Sequence, residues 1–280
     1  MQYKNKAMNN DVTIAIPVWN VEQYVSAAVE SAAMQTYKNI RLMIVDDCGN
    51  DRSMEIVEQK IVELGVANRT DIIRHDKNKG LGEARNTAIS NTTTDYLYFL
   101  DSDDEMKPNA IELLMTAALN TGADITMGSS TRINSDGTFR TSYGIYPKMV
   151  LTTPHAGIYL TAFAGPCHNS EAWGKIYKTS LLHKNNIHTI HPVLEDMMLW
   201  MQTAYYSSTI ATIPNFVHKY RIRTDSICNS NSEWHTPERQ QLLHKIRFDI
   251  INFAKQHPCP GMDIVQDKLI SILSKQLLKK

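Results

Sequence analysis

The chain has few cysteines, and their spacing gives them no shared structural role. Cys48, Cys167, Cys228 and Cys259 are the four in 280 residues, and no two form a CxxC pair. That spacing argues against a zinc ribbon or a disulfide framework and fits a reducing, cytoplasmic setting. The polar residues up to Asp11 lack the apolar stretch of a signal peptide. No run approaches the roughly 18 apolar residues that a spanning helix needs. Net charge is lacking too, since 29 Lys+Arg balance 29 Asp+Glu. A general nucleic-acid binder would show a basic excess, so nucleic acid is not an expected partner. No internal repeat or low-complexity segment occurs.

What is present is globular composition, 42% hydrophobic and 21% charged. At this length a compact fold buries roughly 75% of its unfolded surface, enough for a core without covalent staples. The length suggests one large α/β domain, alone or with a small appendage. The neutral total conceals a division: residues 1–150 are net acidic and residues 151–280 net basic.

The first half alternates strand and helix signals. Val12–Ile16 reads as a strand followed by a turn at Pro17–Asn20, and Glu22–Met34 has helical spacing. Ile40–Val45 is a second strand ending at Asp46-Asp47, with a helix carrying Met54, Ile56, Val57, Ile61 and Leu64 after it. Ile72-Ile73 mark a third strand, Ala84, Ala88 and Ile89 a helix, and Tyr96–Leu100 a fourth strand. Pro108 suits the first turn of the next helix. Such alternation implies a mostly parallel sheet covered on both faces. Ligands of such sheets sit beyond the carboxyl ends of the strands. The polar clusters Pro17–Asn20, Asp46-Asp47 and Asp101–Asp104 all fall there.

The second half is less regular. Asp136-Gly137 reads as a hairpin turn, and Thr152–His168 as loop plus a short helix. Trp173–Leu182 and Met197–Tyr206 read as helices, and Val217–Arg223 as a strand. Two apolar stripes follow, over Glu238–Ala254 and from Val265 to Leu277.

Asp101-Ser-Asp103-Asp104 places three carboxylates in four residues. They repel one another unless a cation or ample water relieves them, and oxygen-only ligands suit Mg²⁺ or Mn²⁺. The competing reading is an acidic turn before a helix. Gly80-Leu-Gly-Glu-Ala-Arg85 imitates a dinucleotide fingerprint. It carries Arg85 at the third glycine position, however, and belongs to the third βα unit rather than the first.

In order along the chain stand Pro17-Val-Trp-Asn20, Gln35-Thr-Tyr-Lys-Asn39, Val45-Asp-Asp47, Gly80-Leu-Gly-Glu-Ala-Arg85-Asn86, Leu100-Asp-Ser-Asp-Asp104, Glu195-Asp196 and Tyr220–Ile227. This ordered set resembles the family 2 glycosyltransferases of GT-A fold, the type that builds bacterial surface polysaccharides and lipooligosaccharides. The resemblance is dense over 12–128 and patchier from 173 to 227. It implies an α/β fold with a Rossmann-like, mostly parallel sheet flanked by helices, and a C-terminal helical extension. Residues 1–228 would be the catalytic domain, with 12–128 binding the nucleotide sugar and 129–228 the acceptor. Residues 229–280 would be the extension.

By position, the resemblance implies that Asp103 binds Mn²⁺ or Mg²⁺ on the donor diphosphate and that Asp101 lies near ribose and sugar. Pro17 and Asn20 would form the first nucleotide-binding turn, with Glu22 just after it and Trp19 standing where tyrosine is commoner. Asp47 would accept from uracil, Arg85 would line the donor site, and Asp196 would be the catalytic base. The partners implied are a UDP-sugar and a glycan or lipid-linked oligosaccharide acceptor. Inverting transfer needs such a base opposite a departing diphosphate, and nearby cations favour the departure.

Other residues keep two readings. Lys219, Arg221 and Arg223 form either a cationic strand for the diphosphate, with both arginines on one face, or an ordinary solvated edge. His218 is either a metal ligand or a core-edge histidine, and Trp173 either an acceptor platform or a packing residue. Glu195-Asp196 taken alone would also suit a helix start. The terminal stripes either pack on the catalytic domain or, with Lys268, Lys275, Lys279 and Lys280, touch an anionic membrane surface. A non-catalytic sugar-binding module on the same scaffold is the alternative function, disfavoured by Arg85, Asp103 and Asp196 occurring together.

Overall fold

The computed structural model describes residues 9–163, 170–191, 194–223 and 236–277. The first half runs β1 (Val12–Val18), α1 (Val25–Ala33), β2 (Ile40–Asp46), α2 (Ser53–Glu63), β3 (Thr70–Arg74), α3 (Leu81–Asn91), β4 (Tyr96–Phe99), β5 (Glu105–Met106) and α4 (Ala110–Thr121). The second half runs β6 (Ile125–Ile133), β7 (Phe139–Tyr143), β8 (Met149–Thr152), α5 (Ala156–Phe163), β9 (Lys175–Lys178), α6 (Thr179–Lys184), α7 (Glu195–Tyr206), β10 (Thr209–Arg221), α8 (Pro237–Gln256) and α9 (Met262–Leu277).

The strands form one sheet in the order β3-β2-β1-β4-β9-β6-β10-β5, with β7 on β6 and β8 on β10. From β3 to β4 the pairing is parallel, and the helix-flanked α/β sheet expected from the sequence is present. Beyond β4, β9 pairs antiparallel with both β4 and β6, and β10 runs parallel to β6. Alternate residues of β1 serve opposite faces. Val12, Ile14 and Ile16 pack with Val25, Val29, Ile111 and Leu114, whereas the small Ala15 joins Ala84 and Ala88 of α3.

Several boundaries differ from the sequence reading. Pro17 and Val18 continue β1, because pairing with β2 extends to Val18 and Asp46. Proline is tolerated there since the β4 pairing stops at Ala15. Trp173–Leu182 is not one helix: Gly174 has φ +71°, and Ile176 and Tyr177 then pair with Tyr98 and Leu97. The strand read from Val217 begins at Thr209, and β8 pairs with its first residues. The Asp136-Gly137 hairpin joins β6 to β7 as expected.

The two terminal stripes pack inward. Leu243, Ile246 and Ile250 of α8 and Val265, Leu269 and Leu273 of α9 are buried in one cluster with Leu199, Trp200 and Met201 of α7. Each such side chain contributes about 1.5–3 kcal/mol on burial. Lys268, read as a possible lipid contact, instead donates from Nζ to the carbonyl of Thr161 in the last turn of α5. Lys279 and Lys280, the side chain of Lys275, Cys167, Cys228 and the motif residues Thr224–Ile227 lie outside what is described. No helix among the described residues is long and apolar enough to cross a membrane.

Candidate active site

The loops at the carboxyl ends of β1, β2 and β3 are tied together by side chains that the motifs supply. Asn20, at φ +51°, accepts the Asn50 amide on Oδ1 at 2.8 Å. Glu22 accepts the Arg52 amide at 3.0 Å, while Asp51 accepts the Glu22 amide at 3.0 Å. Both residues thus brace the first turn. Trp19 is left 47% exposed, and Pro17 lies buried in β1.

Asp47 is placed differently from its expected role. It is 3% exposed. Its Oδ1 meets His75 Nδ1 at 2.6 Å and accepts the Lys79 amide at 2.8 Å, and Oδ2 accepts the Gly80 amide at 2.8 Å. The carboxylate organises the β3–α3 loop and does not present itself openly to a uracil. His75, which sequence reasoning missed, completes the tie through Nε2 and Thr87 Oγ1, 2.8 Å apart.

The glycine-rich motif has a local explanation. Gly80 caps α3 at φ +88°, the region that favours glycine. A Cβ on Gly82 would stand 2.1 Å from the His191 carbonyl oxygen, so only glycine permits this approach. Asn86 then locks the approaching segment: its Nδ2 donates to the Thr189 carbonyl at 2.9 Å and its Oδ1 accepts the Thr189 amide at 2.7 Å. Arg85 is buried between two acids. It donates from Nη2 to Asp101 Oδ1 at 2.6 Å and from Nη1 to Glu195. Rather than facing a ligand openly, Arg85 joins the acidic loop to the start of α7.

The three acidic-loop carboxylates point to different partners. Asp104 is fully buried: Oδ1 accepts the Arg221 amide at 2.7 Å and Oδ2 lies 2.9 Å from His218 Nε2. Burial, then Asp103 and Asp101, push its pKa well above the carboxylate range. Asp103 is partly exposed and accepts from Arg223 Nε at 2.6 Å. Burial raises its pKa, and Arg223 opposes that rise.

His218 does not match the expectation of a metal ligand. It is 0% exposed, with Nε2 on Asp104 and Nδ1 3.0 Å from the Tyr98 hydroxyl. Both nitrogens are used, and burial lowers its pKa to about 3. Trp173 is the packing residue of its two readings, stacked on His218 at 4.2 Å and on Tyr220 at 5.4 Å between ring centroids.

Arg221 and Arg223 do share a face, since both guanidinium carbons lie over the Tyr24 ring, at 5.3 and 5.8 Å. Arg221 is not a free cation, however. It donates to the carbonyls of Asp103, Asn134 and Ser135 and to Glu105 Oε1 at 2.6 Å. It holds the acidic loop against β10. Among the described residues, no three His, Cys, Asp or Glu gather as a metal cage. The donor set that remains, Asp103 with Asp101 beside it, is oxygen-only and mutually repulsive. It fits a hard divalent cation completed by phosphate oxygens and water.

Asp196 stands in the first turn of α7, after Leu194 at φ +53°. Its carboxyl pKa is raised to about 6, chiefly by burial, with Arg85 opposing, Glu171 and Asp101 adding, and Lys175 opposing. A carboxylate poised near neutrality suits a general base. Sequence reasoning missed Lys175 and Glu171, which lie in a segment read as helix or left without a role.

Comparisons with known proteins give the family and the fold. The model of "Glycosyl transferase family 2" matches residues 13–184, more than half of the chain. The chain belongs to glycosyl transferase family 2. It is 29% identical over 228 residues to glycosyltransferase GlyA of Streptococcus pneumoniae, covering 79% of this chain and 32% of GlyA. It is 27% identical over 227 residues to the putative glycosyltransferase EpsH of Bacillus subtilis, covering 77% and 62%. The chain thus spans about a third of GlyA and under two thirds of EpsH. The fold matches that of S. aureus TarS 1–349 in complex with UDP-GlcNAc, with a TM-score of 0.70 at 18% identity, over 95% of this chain and 72% of that one. The architecture is therefore the GT-A one.

Proposed function

We propose that the protein is a metal-dependent, inverting glycosyltransferase that moves a hexose or N-acetylhexosamine from a UDP-sugar to an acceptor glycan. The acceptor would be a growing bacterial surface polysaccharide or a lipid-linked, lipooligosaccharide-type chain. A lipid-linked acceptor would bring the protein to the inner face of the membrane. The observation that carries the reading is the Arg85 bridge, which sets the acidic loop beside a carboxyl, Asp196, poised near neutrality. UDP-GlcNAc in the TarS neighbour and the similarity to the teichoic acid poly(glycerol phosphate) polymerase of Staphylococcus epidermidis, 33% identical over 112 residues, support the donor and acceptor classes.

The chemistry follows from the placement of the chain's own groups. Trp19 offers a planar face to the nucleotide base, beside the turn braced by Asn20 and Glu22. Asp103, released from Arg223, would hold Mn²⁺ or Mg²⁺ together with diphosphate oxygens, and that ion would offset charge on the departing UDP. Asp101, oriented by Arg85, accepts from a ribose or sugar hydroxyl. Asp196 takes the proton of the acceptor hydroxyl as its oxygen bonds to the anomeric carbon. The bond to the diphosphate oxygen breaks on the opposite face, so the configuration inverts. The proton then leaves Asp196 to water.

Hydrolysis of a panel of nucleotide sugars, with and without Mn²⁺, tests the reading. The expected result is slow cleavage of one UDP-sugar, stimulated by Mn²⁺ and lost in Asp196→Asn. Equal cleavage by the Asn variant, or cleavage only of non-uridine donors, overturns the assignment of base or donor.

A further inference from the structure

Lys175 is 1% exposed and has no role in the mechanism above. Its ammonium donates to the Glu171 carbonyl and lies 5.3 Å from the centre of the Trp200 indole. No carboxylate among the described residues is within ion-pair reach of it. Burying an ammonium on one carbonyl and one ring is costly, so such an arrangement calls for a reason. Trp200 follows Asp196 by one helical turn on α7, and helical side chains four apart share a face and lean toward the N-terminus. The indole is fixed by its own bond from Nε1 to Thr161 Oγ1 at 3.1 Å. The cation resting on that indole therefore lies along the face that carries Asp196.

We infer that Lys175 is a positioning residue for the base: pinned between the Glu171 carbonyl and the Trp200 ring, it supplies a second positive charge beside Asp196, in addition to Arg85, and so sets where that carboxylate takes up its proton. This rests on reading Asp196 as the base. The interaction is reciprocal. Burial lowers the Lys175 pKa to about 8, with Glu171 and Asp196 opposing that fall. The charges facing Asp196 are Arg85 on α3, Asp101 after β4, and Glu171 and Lys175 before and within β9. The two positive groups favour the ionised base and the two negative groups disfavour it.

The test is a ¹³C NMR titration of the Asp196 carboxyl, identified by its loss in Asp196→Asn, on the full chain and on the Lys175→Met and Glu171→Gln variants. The acid limb of UDP-GlcNAc and UDP-glucose hydrolysis with Mn²⁺ is measured in parallel. Lys175→Met should move the Asp196 midpoint and the acid limb up by about one pH unit. Glu171→Gln should move both down, and Lys175→Arg should restore the wild-type midpoint. A midpoint unmoved by either neutral variant, or a rate lowered by one factor at every pH, overturns the role of Lys175. If Lys175→Met does not fold, Glu171→Gln decides: an unmoved or raised midpoint overturns the proposal. Full hydrolysis by Asp196→Asn defeats the base reading itself, and is distinguishable because the carboxyl midpoints are read without turnover.

Discussion

Arg85 and Glu195 form a buried ion pair across 110 positions of sequence, and the same guanidinium holds Asp101. One side chain thereby sets the spacing between the acidic loop and the helix that carries Asp196. Replacing it with methionine leaves two acids with no counter-charge, a loss of about 3–5 kcal/mol for a buried pair broken on one side. Chemical denaturation should show that loss in Arg85→Met. Arg85→Lys, which lacks the planar fork, should fold better yet keep little activity. Wild-type turnover in the lysine variant would refute the bridge.

Asp196 should make the protein less stable than it needs to be. Its folded pKa, about 6, lies above the ordinary 3.9 of an unfolded chain. The folded state therefore holds more protons between those values, and the stability from this group is lost as pH rises from about 4 through 6. Asp196→Asn removes that penalty. Its melting temperature should exceed wild type at pH 7.5, by an amount corresponding to about 1–2 kcal/mol after allowance for partial exposure. The gap should close below pH 4, and a constant gap across pH would contradict it.

Asp103→Ala should abolish the Mn²⁺-dependent part of UDP affinity in calorimetry. The metal assignment fails if the alanine variant gives an unaltered Mn²⁺ titration. Arg223→Ala, by contrast, frees the carboxylate that Arg223 occupies and should bind Mn²⁺ in the presence of UDP at least as well as wild type.

Gly82→Ala adds one methyl group where the His191 carbonyl stands 2.1 Å from the new atom. The helix and the 189–191 segment must separate, a strain of about 1–3 kcal/mol. Because that segment leads to Glu195 and Asp196, kcat should fall together with the melting temperature. An unchanged kcat would mean that α7 is positioned independently of α3.

Leu269→Ala tests the inward packing of the last helix. The side chain is fully buried among α7 and α8 residues, so its truncation should lower stability by about 2–5 kcal/mol. Unchanged unfolding would show that α9 is not part of this core.

The first half was legible in the sequence because its strands are short β-branched runs and its motifs are local. Val12–Ile16, Ile40–Val45 and Tyr96–Leu100 lie where strands are found, and the acidic loop follows the last of them. The second half was less legible because its order is set by partners far along the chain. Ile176 and Tyr177 have helix-like neighbours, yet β4 and β6 on either side draw them into a strand. For the same reason, residue type alone did not separate charges that bind from charges that brace. Arg221, Asp47 and His218 have the right chemistry for ligands, but each is already engaged by partners that no local pattern reveals. Lys175 was invisible because a lysine between Gly174 and Ile176 gives no sign of being buried.

The paired amide contacts between Asn86 and Thr189 work like one rung of a ladder joining a helix to a loop. Thr189, their partner on the loop, lies beyond residue 184, where the family match ends. A fragment cut at that boundary would keep the motifs up to Asp104 but lose both this rung and Glu195, the acid opposite Arg85. The stretch most recognisable by descent is therefore not a unit that can be excised and expected to hold its shape.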